Sequence, residues 1–151
     1  MVNVGGKEPT ERRAVAEGRL VLSSEARGLL LEGRLPKGDA LAVGRVAGIM
    51  GAKRTSELIP LCHPISLTGA EVHLEIEETG VRIRAEVETR ERTGVEMEAL
   101  TAVAVAGLAL YDMVKAVDRT ARLEGIRLIR KEGGKSGVFE APEGSEGVGR
   151  S

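Results

Sequence analysis

The stretch from Ala70 to Thr89 reads AEVHLEIEETGVRIRAEVET. Val72, Leu74 and Ile76 alternate with charged or polar neighbours, and Val81, Ile83, Ala85 and Val87 do the same. A period of two sends successive side chains to opposite faces, so each run reads as a strand with one apolar and one charged face. Thr79-Gly80 between them supplies a tight turn, and the pair is predicted to be an antiparallel hairpin. On either side of the hairpin the period changes. Asp39 caps a helix whose Leu41, Val43, Val46, Ile49 and Met50 recur at helical spacing, predicted to run to about Leu58. Pro60 and Pro64 then stiffen the loop 59–66. Earlier still, residues 14–22 alternate as a strand, and Ser23 and Ser24 offer caps for a short helix through Glu32. Beyond the hairpin, 95–118 reads as a long helix rich in small residues, and 122–131 as a last strand.

The order is strand, two helices, two strands, helix, strand. It predicts an α+β fold of the ferredoxin-like kind, a four-stranded antiparallel sheet with helices packed on one face. We expect one catalytic domain over 1–139, with 1–13 as an irregular arm. Residues 140–151, rich in Gly and Glu, are expected to form a flexible tail.

Composition narrows the function classes. The 151 residues carry 22 Lys plus Arg against 23 Asp plus Glu, a formal net charge of −1. No global basic field attracts a nucleic-acid backbone, and one Phe, one Tyr and no Trp leave no stacking platform for bases. Nucleic acid is therefore not an expected partner. The lone Cys62 forms no intrachain disulfide, and with two histidines it makes a poor metal set, so no metal and no resident cofactor is expected. The uncharged apolar run 101–111 is short of the roughly 20 residues of a membrane span, and no secretory pattern opens the chain. The expected location is the cytoplasm, with no membrane partner.

Four features carry chemistry. In the first, prolines on both sides hold Leu61-Cys62-His63 in a nearly fixed loop, a good mount for a binding imidazole. An ordinary turn histidine is the plainer reading, and Cys62 reads better as core filler than as nucleophile. The second is Glu96-Met97-Glu98 in the first turn of the long helix. Carboxylates there favour the helix dipole, and they also accept paired N–H donors such as a guanine-like ring edge. Third, Asp112 and Lys115 sit three apart near the helix end. They form either a surface ion pair or an acid–base couple sharing proton transfers. Last come Lys37, Lys53 and Lys131, cations at element ends that make a phosphate pocket if the fold gathers them. The run Gly133-Gly134-Lys135-Ser136-Gly137 is not a phosphate-binding P-loop, because Ile129 stands where that pattern needs Gly and no helix is expected to follow.

Glu98 and Asp112 lie fourteen residues apart on one helix, about 21 Å along its axis at 1.5 Å per residue. One compact ligand does not reach both within a subunit. If both serve one site, a second copy of the chain completes it, and Ala102, Ala106, Gly107 and Ala109 permit close helix packing of that kind.

These motifs resemble the molybdenum cofactor biosynthesis protein C family, the cyclic pyranopterin monophosphate synthases. The resemblance rests on Lys37-Gly38-Asp39, on Ala47-Gly48-Ile49 through Ala52-Lys53-Arg54-Thr55, and on Leu58-Ile59-Pro60-Leu61-Cys62-His63-Pro64. It continues in residues 93–101, in Tyr111-Asp112-Met113 with Lys115-Ala116, and in Gly133-Gly134-Lys135-Ser136-Gly137. It implies a homohexamer, a trimer of dimers with active sites at the dimer interface. It also implies a lyase that converts 3′,8-cyclo-7,8-dihydro-GTP, a purine-derived triphosphate supplied by an upstream radical-SAM enzyme, into cyclic pyranopterin monophosphate and pyrophosphate. Carried over by motif, Asp112 and Lys115 are catalytic. Leu61, Cys62, His63, Met97 and Glu98 line the substrate, Lys37, Lys53 and Lys131 hold phosphate, and Glu96 stands nearby. The chain departs from the family at Asn3, where the family's opening Met-Val-Asp-Val has a carboxylate. The alternative in another class is a non-catalytic nucleotide-binding module, which gains nothing from Asp112 and Lys115.

Overall fold

The computed structural model describes residues 1–142. Its elements are β1 (Thr10–Val21), α1 (Ser24–Glu32), α2 (Ala40–Lys53), α3 (Thr55–Leu58), β2 (Leu67–Glu77), β3 (Gly80–Glu91), α4 (Glu96–Val114), β4 (Arg122–Glu132) and β5 (Phe139–Glu140). The sheet order is β2-β3-β1-β4-β5, and every pairing is antiparallel. The class is α+β, with helices packed against a five-stranded sheet. The expected four strands are corrected to five. Two residues are too few to show alternation, and β5 is held by its pairing with Arg130 and Lys131 and by the Ala141 N–H donating to the Ile129 carbonyl at 2.8 Å. The expected tail falls outside the described residues from 143 onward.

The hairpin forms as its pattern predicts, but its turn is Glu78-Thr79, one residue earlier than the expected Thr79-Gly80, because Gly80 already pairs with Glu77. β1 is the central strand, and it begins at Thr10, so the last four residues of the stretch expected to be an irregular arm belong to it. The reason is charge. Residues 10–13 carry no apolar alternation, yet they lie opposite Glu88–Glu91, and Arg13 reaches Glu86 at 3.0 Å and Glu132 at 3.1 Å. The face of β1 toward the helices is apolar, with Ala14, Ala16 and Leu20 in the core. Its opposite face is a lattice of Arg and Glu in which Glu17 is nearly covered, 3.4 Å from Arg127 and 3.5 Å from Arg82.

Ser23 caps α1 and Asp39 caps α2 through their side-chain oxygens, as the sequence predicts. The helix expected to reach Leu58 breaks at Arg54. There the Thr55 hydroxyl donates to the carbonyls of Gly51 and Ala52, at 3.0 and 3.1 Å. A side chain that takes the carbonyls of the preceding turn competes with helix continuation. α4 likewise ends at Val114 rather than near Asp118. The Asp118 carboxylate instead accepts the Ser23 N–H at 2.7 Å and the Thr120 hydroxyl at 2.6 Å, tying the start of α1 to the turn before β4.

α2 and α4 run antiparallel in close contact, Gly44 against Leu110 and Gly48 against Ala102 and Ala106. A Cβ on Gly48 would stand 3.0 Å from the Ala102 carbonyl oxygen, so glycine sets how near the backbones come. By length and composition α4 matches a membrane span, which a count broken at charges, such as 101–111, does not reveal. Of its apolar window 56% is buried inside the fold, as a core helix would be.

Candidate active site

Both ends of the antiparallel helix pair carry polar side chains. At the end where α4 finishes, buried Leu35 anchors the turn between α1 and α2, whose Gly38 N–H donates to the Leu35 carbonyl at 3.2 Å. That turn holds Lys37 over Asp112. Lys37 Nζ stands 2.9 Å from one Asp112 oxygen and Lys115 Nζ 2.9 Å from the other. The Lys115 ammonium, and after it that of Lys37, hold the Asp112 carboxyl below the usual carboxylate range. All three side chains are about half exposed. Exposed ion pairs contribute little to folding. What the trio provides is an ionised carboxylate between two amine donors, open to a ligand.

At the other end, where α4 begins, the first turn presents Glu96, Met97 and Glu98 beside the loop 59–66. Glu98 is only 4% exposed. Burial pushes its carboxyl up, and Glu96 adds to this, while its own backbone N–H acts in the opposite sense. Glu96 Oε1 is buried with no hydrogen-bond partner. Gly94 makes room for that carboxylate, since a Cβ there would fall 2.0 Å from Glu96 Oε1. A buried Glu98 carboxyl beside a Glu96 oxygen that lacks a donor suits a ligand edge rich in N–H groups. Burial, and then the charge of Glu98, push the Cys62 thiol up, which keeps it protonated and argues against a nucleophile. Leu61 and Met97 lie exposed beside these groups.

Lys53, the last residue of α2, and Lys131 belong to this same end. Lys131 pairs with Ala14, a core-facing residue, and paired residues share a face, so it lies on the helix side of the sheet. Its ammonium donates to the Ser136 hydroxyl. The three lysines are not gathered in one chain: Lys37 and Lys53 sit at opposite ends of the 14-residue α2, about 20 Å apart along it. After Gly133-Gly134-Lys135-Ser136-Gly137 the chain enters β5, not a helix.

Sequence reasoning missed two contacts. His63 Nε2 lies 2.6 Å from the carbonyl oxygen of Val2, and Ser136 engages Lys131. A backbone carbonyl leaves no mark in a residue pattern, so the reading of 1–13 as an irregular arm did not point to His63. Among the described residues, no three His, Cys, Asp or Glu side chains come together to hold a metal. An open groove lined by Arg12, Arg13, Thr68, Glu88, Arg90 and Glu132, among others, includes no residue of either set.

Comparison with known proteins puts these sets in a family. The chain is 58% identical over 142 residues to the cyclic pyranopterin monophosphate synthase of Pelotomaculum thermopropionicum, covering 93% of this chain and 84% of that protein. The protein of the same name from Thermomicrobium roseum is 60% identical over 141 residues, covering 92% and 85%. That of Methylobacterium nodulans is 57% identical over 143 residues, covering 93% and 89%. The MoaC family model matches residues 1–134, which include every residue of both sets. On that match and these identities, the chain belongs to the MoaC family.

Proposed function

We propose that the chain converts 3′,8-cyclo-7,8-dihydro-GTP into cyclic pyranopterin monophosphate and pyrophosphate, in a site that two copies of the chain complete. The chain is a cyclic pyranopterin monophosphate synthase of molybdenum cofactor biosynthesis. The observation that carries the finer reading is the division of chemistry between the ends of α4. Desolvated carboxylates and two lysines stand at one end, and the Lys37–Asp112–Lys115 trio stands at the other. An antiparallel second copy of the helix pair brings the trio of one subunit to the carboxylates of its neighbour. Val43, Val46, Met50 and Leu108 on α2 and α4 are exposed in the single chain, which supports burial against another copy.

In this site Glu98 and Glu96 accept the N–H groups of the guanine-derived ring. His63, Cys62, Leu61 and Met97 line it, and Lys53 and Lys131 neutralise phosphate. Closing a cyclic phosphate requires a substrate hydroxyl to attack phosphorus and lose its proton, while pyrophosphate leaves with its charge. Asp112 and Lys115 of the neighbouring subunit serve those proton transfers, and Lys37 adds positive charge beside them. The reading extends to a ferredoxin-like single catalytic domain over 1–139, a cytoplasmic homohexamer built as a trimer of dimers, and an upstream radical-SAM enzyme as the source of substrate. The strand order β2-β3-β1-β4 supports the fold assignment.

Incubating the purified chain with the cyclised nucleotide is expected to release one pyrophosphate per pterin formed. Binding without pyrophosphate release would instead mark a nucleotide-binding module. In the same assay, Lys53→Ala and Lys131→Ala are expected to raise KM about tenfold or more with a smaller change in kcat. Their phosphate partners are present before as well as during the reaction, so the lost binding is uniform. An unchanged KM in both variants would remove them from the phosphate site.

A further inference from the structure

The segment before β1 is exposed, with Met1 at 72% and Val2 at 75%, so apolar burial does not hold it in place. It is nevertheless shaped. The Gly5 N–H donates to Asn3 Oδ1 at 2.8 Å, and the Lys7 N–H donates to the Val4 carbonyl at 3.1 Å. These bonds turn the chain so that the Val2 carbonyl meets His63 Nε2 at 2.6 Å, across 61 positions of sequence. It is the one ring hydrogen bond of His63 among the described residues.

A carbonyl oxygen accepts and does not donate, so this contact requires the proton on Nε2. The neutral ring then carries its lone pair on Nδ1, and the tautomer with the opposite arrangement loses the bond. We propose that the arm 1–7 is a positioning part of the substrate site. It holds His63 as the Nε2–H tautomer, so that Nδ1 is presented as an acceptor to an N–H or O–H group of the guanine-derived nucleotide. The proposal rests on the reading that His63 touches substrate. It also accounts for Asn3. The role of that side chain in the arm is to offer one oxygen to the Gly5 N–H, and an amide does this as a carboxylate would, without the charge.

The test uses the full chain, a deletion of residues 2–7, and the variants Asn3→Ala and Asn3→Asp. Each is labelled with 15N-histidine, and His73→Gln assigns the second ring. At a pH where imidazole is neutral, the parent is expected to show His63 as a single tautomer protonated at Nε2. In the deletion the two ring nitrogens should move toward an averaged shift. KM for the cyclised nucleotide should rise about three- to tenfold, the worth of one hydrogen bond, with kcat changing less. Asn3→Ala should move in the same direction and Asn3→Asp should match the parent. An unaltered tautomer, or an unaltered KM, in a folded deletion overturns the proposal. His63→Ala separates this outcome from the underlying reading: parental kinetics in that variant would show that His63 does not touch substrate, whatever the arm does to its tautomer.

Discussion

Lys115→Ala is expected to fold and assemble like the parent and to release pyrophosphate about a hundred- to ten-thousandfold more slowly, the range spanned by a positioned general acid or base. Folding should survive because the Lys115 side chain is half exposed and its ion pair with Asp112 lies at the surface, where such pairs add little. The variant also removes the first cause of the lowered Asp112 carboxyl, leaving Lys37 as the remaining amine partner. That carboxyl then shifts back toward its ordinary range, which still leaves it ionised at neutral pH. The lost turnover is therefore assigned to the missing amine and not to protonation of Asp112. Lys115→Arg sharpens the test, since guanidinium keeps the charge but does not give up its proton near neutrality. A rate restored by Arg would make the role of Lys115 electrostatic, and a near-parental rate in the folded Ala variant would take Lys115 out of the mechanism.

Asp112→Ala and Glu98→Ala should each be nearly inactive alone and regain activity when unfolded and reassembled together. The expectation comes from distance. The two residues stand about 21 Å apart along one helix, and the α2–α4 packing leaves α4 continuous from Glu96 to Val114, so no bend brings them closer. In a mixed dimer one site receives an intact Asp112 from one subunit and an intact Glu98 from the other, while the second site carries both lesions. Recovery should thus stay well below the parent. Mixed assemblies isolated through two different tags and showing no more activity than the separate variants would disprove a shared site.

Parts of this architecture are legible in the sequence. The β2–β3 hairpin was readable because one of its faces is apolar throughout, and the starts of α1 and α2 because Ser23 and Asp39 are good caps. Element ends were harder. The first four residues of β1 are hidden because their outer face pairs charge with charge, which carries no apolar period. The break at Arg54 depends on where the Thr55 hydroxyl points, and the end of α4 on Asp118 turning to the Ser23 N–H.

The residues of the candidate site were visible as motifs, and their partition was not. By itself the sequence determined the α+β class, the order of β1, α1, α2, β2, β3, α4 and β4, and the spacing on α4 that keeps Glu98 and Asp112 apart, because these follow from local periodicity and a fixed helical rise. Only the tertiary structure decided that Lys37 joins Asp112 and Lys115 rather than the other lysines, that Glu96 Oε1 is buried without a donor, and that Val2 holds His63. Those outcomes are contacts between positions far apart in the chain, set by how α2 lies against α4 and how the arm turns back, and no local pattern of side chains encodes them.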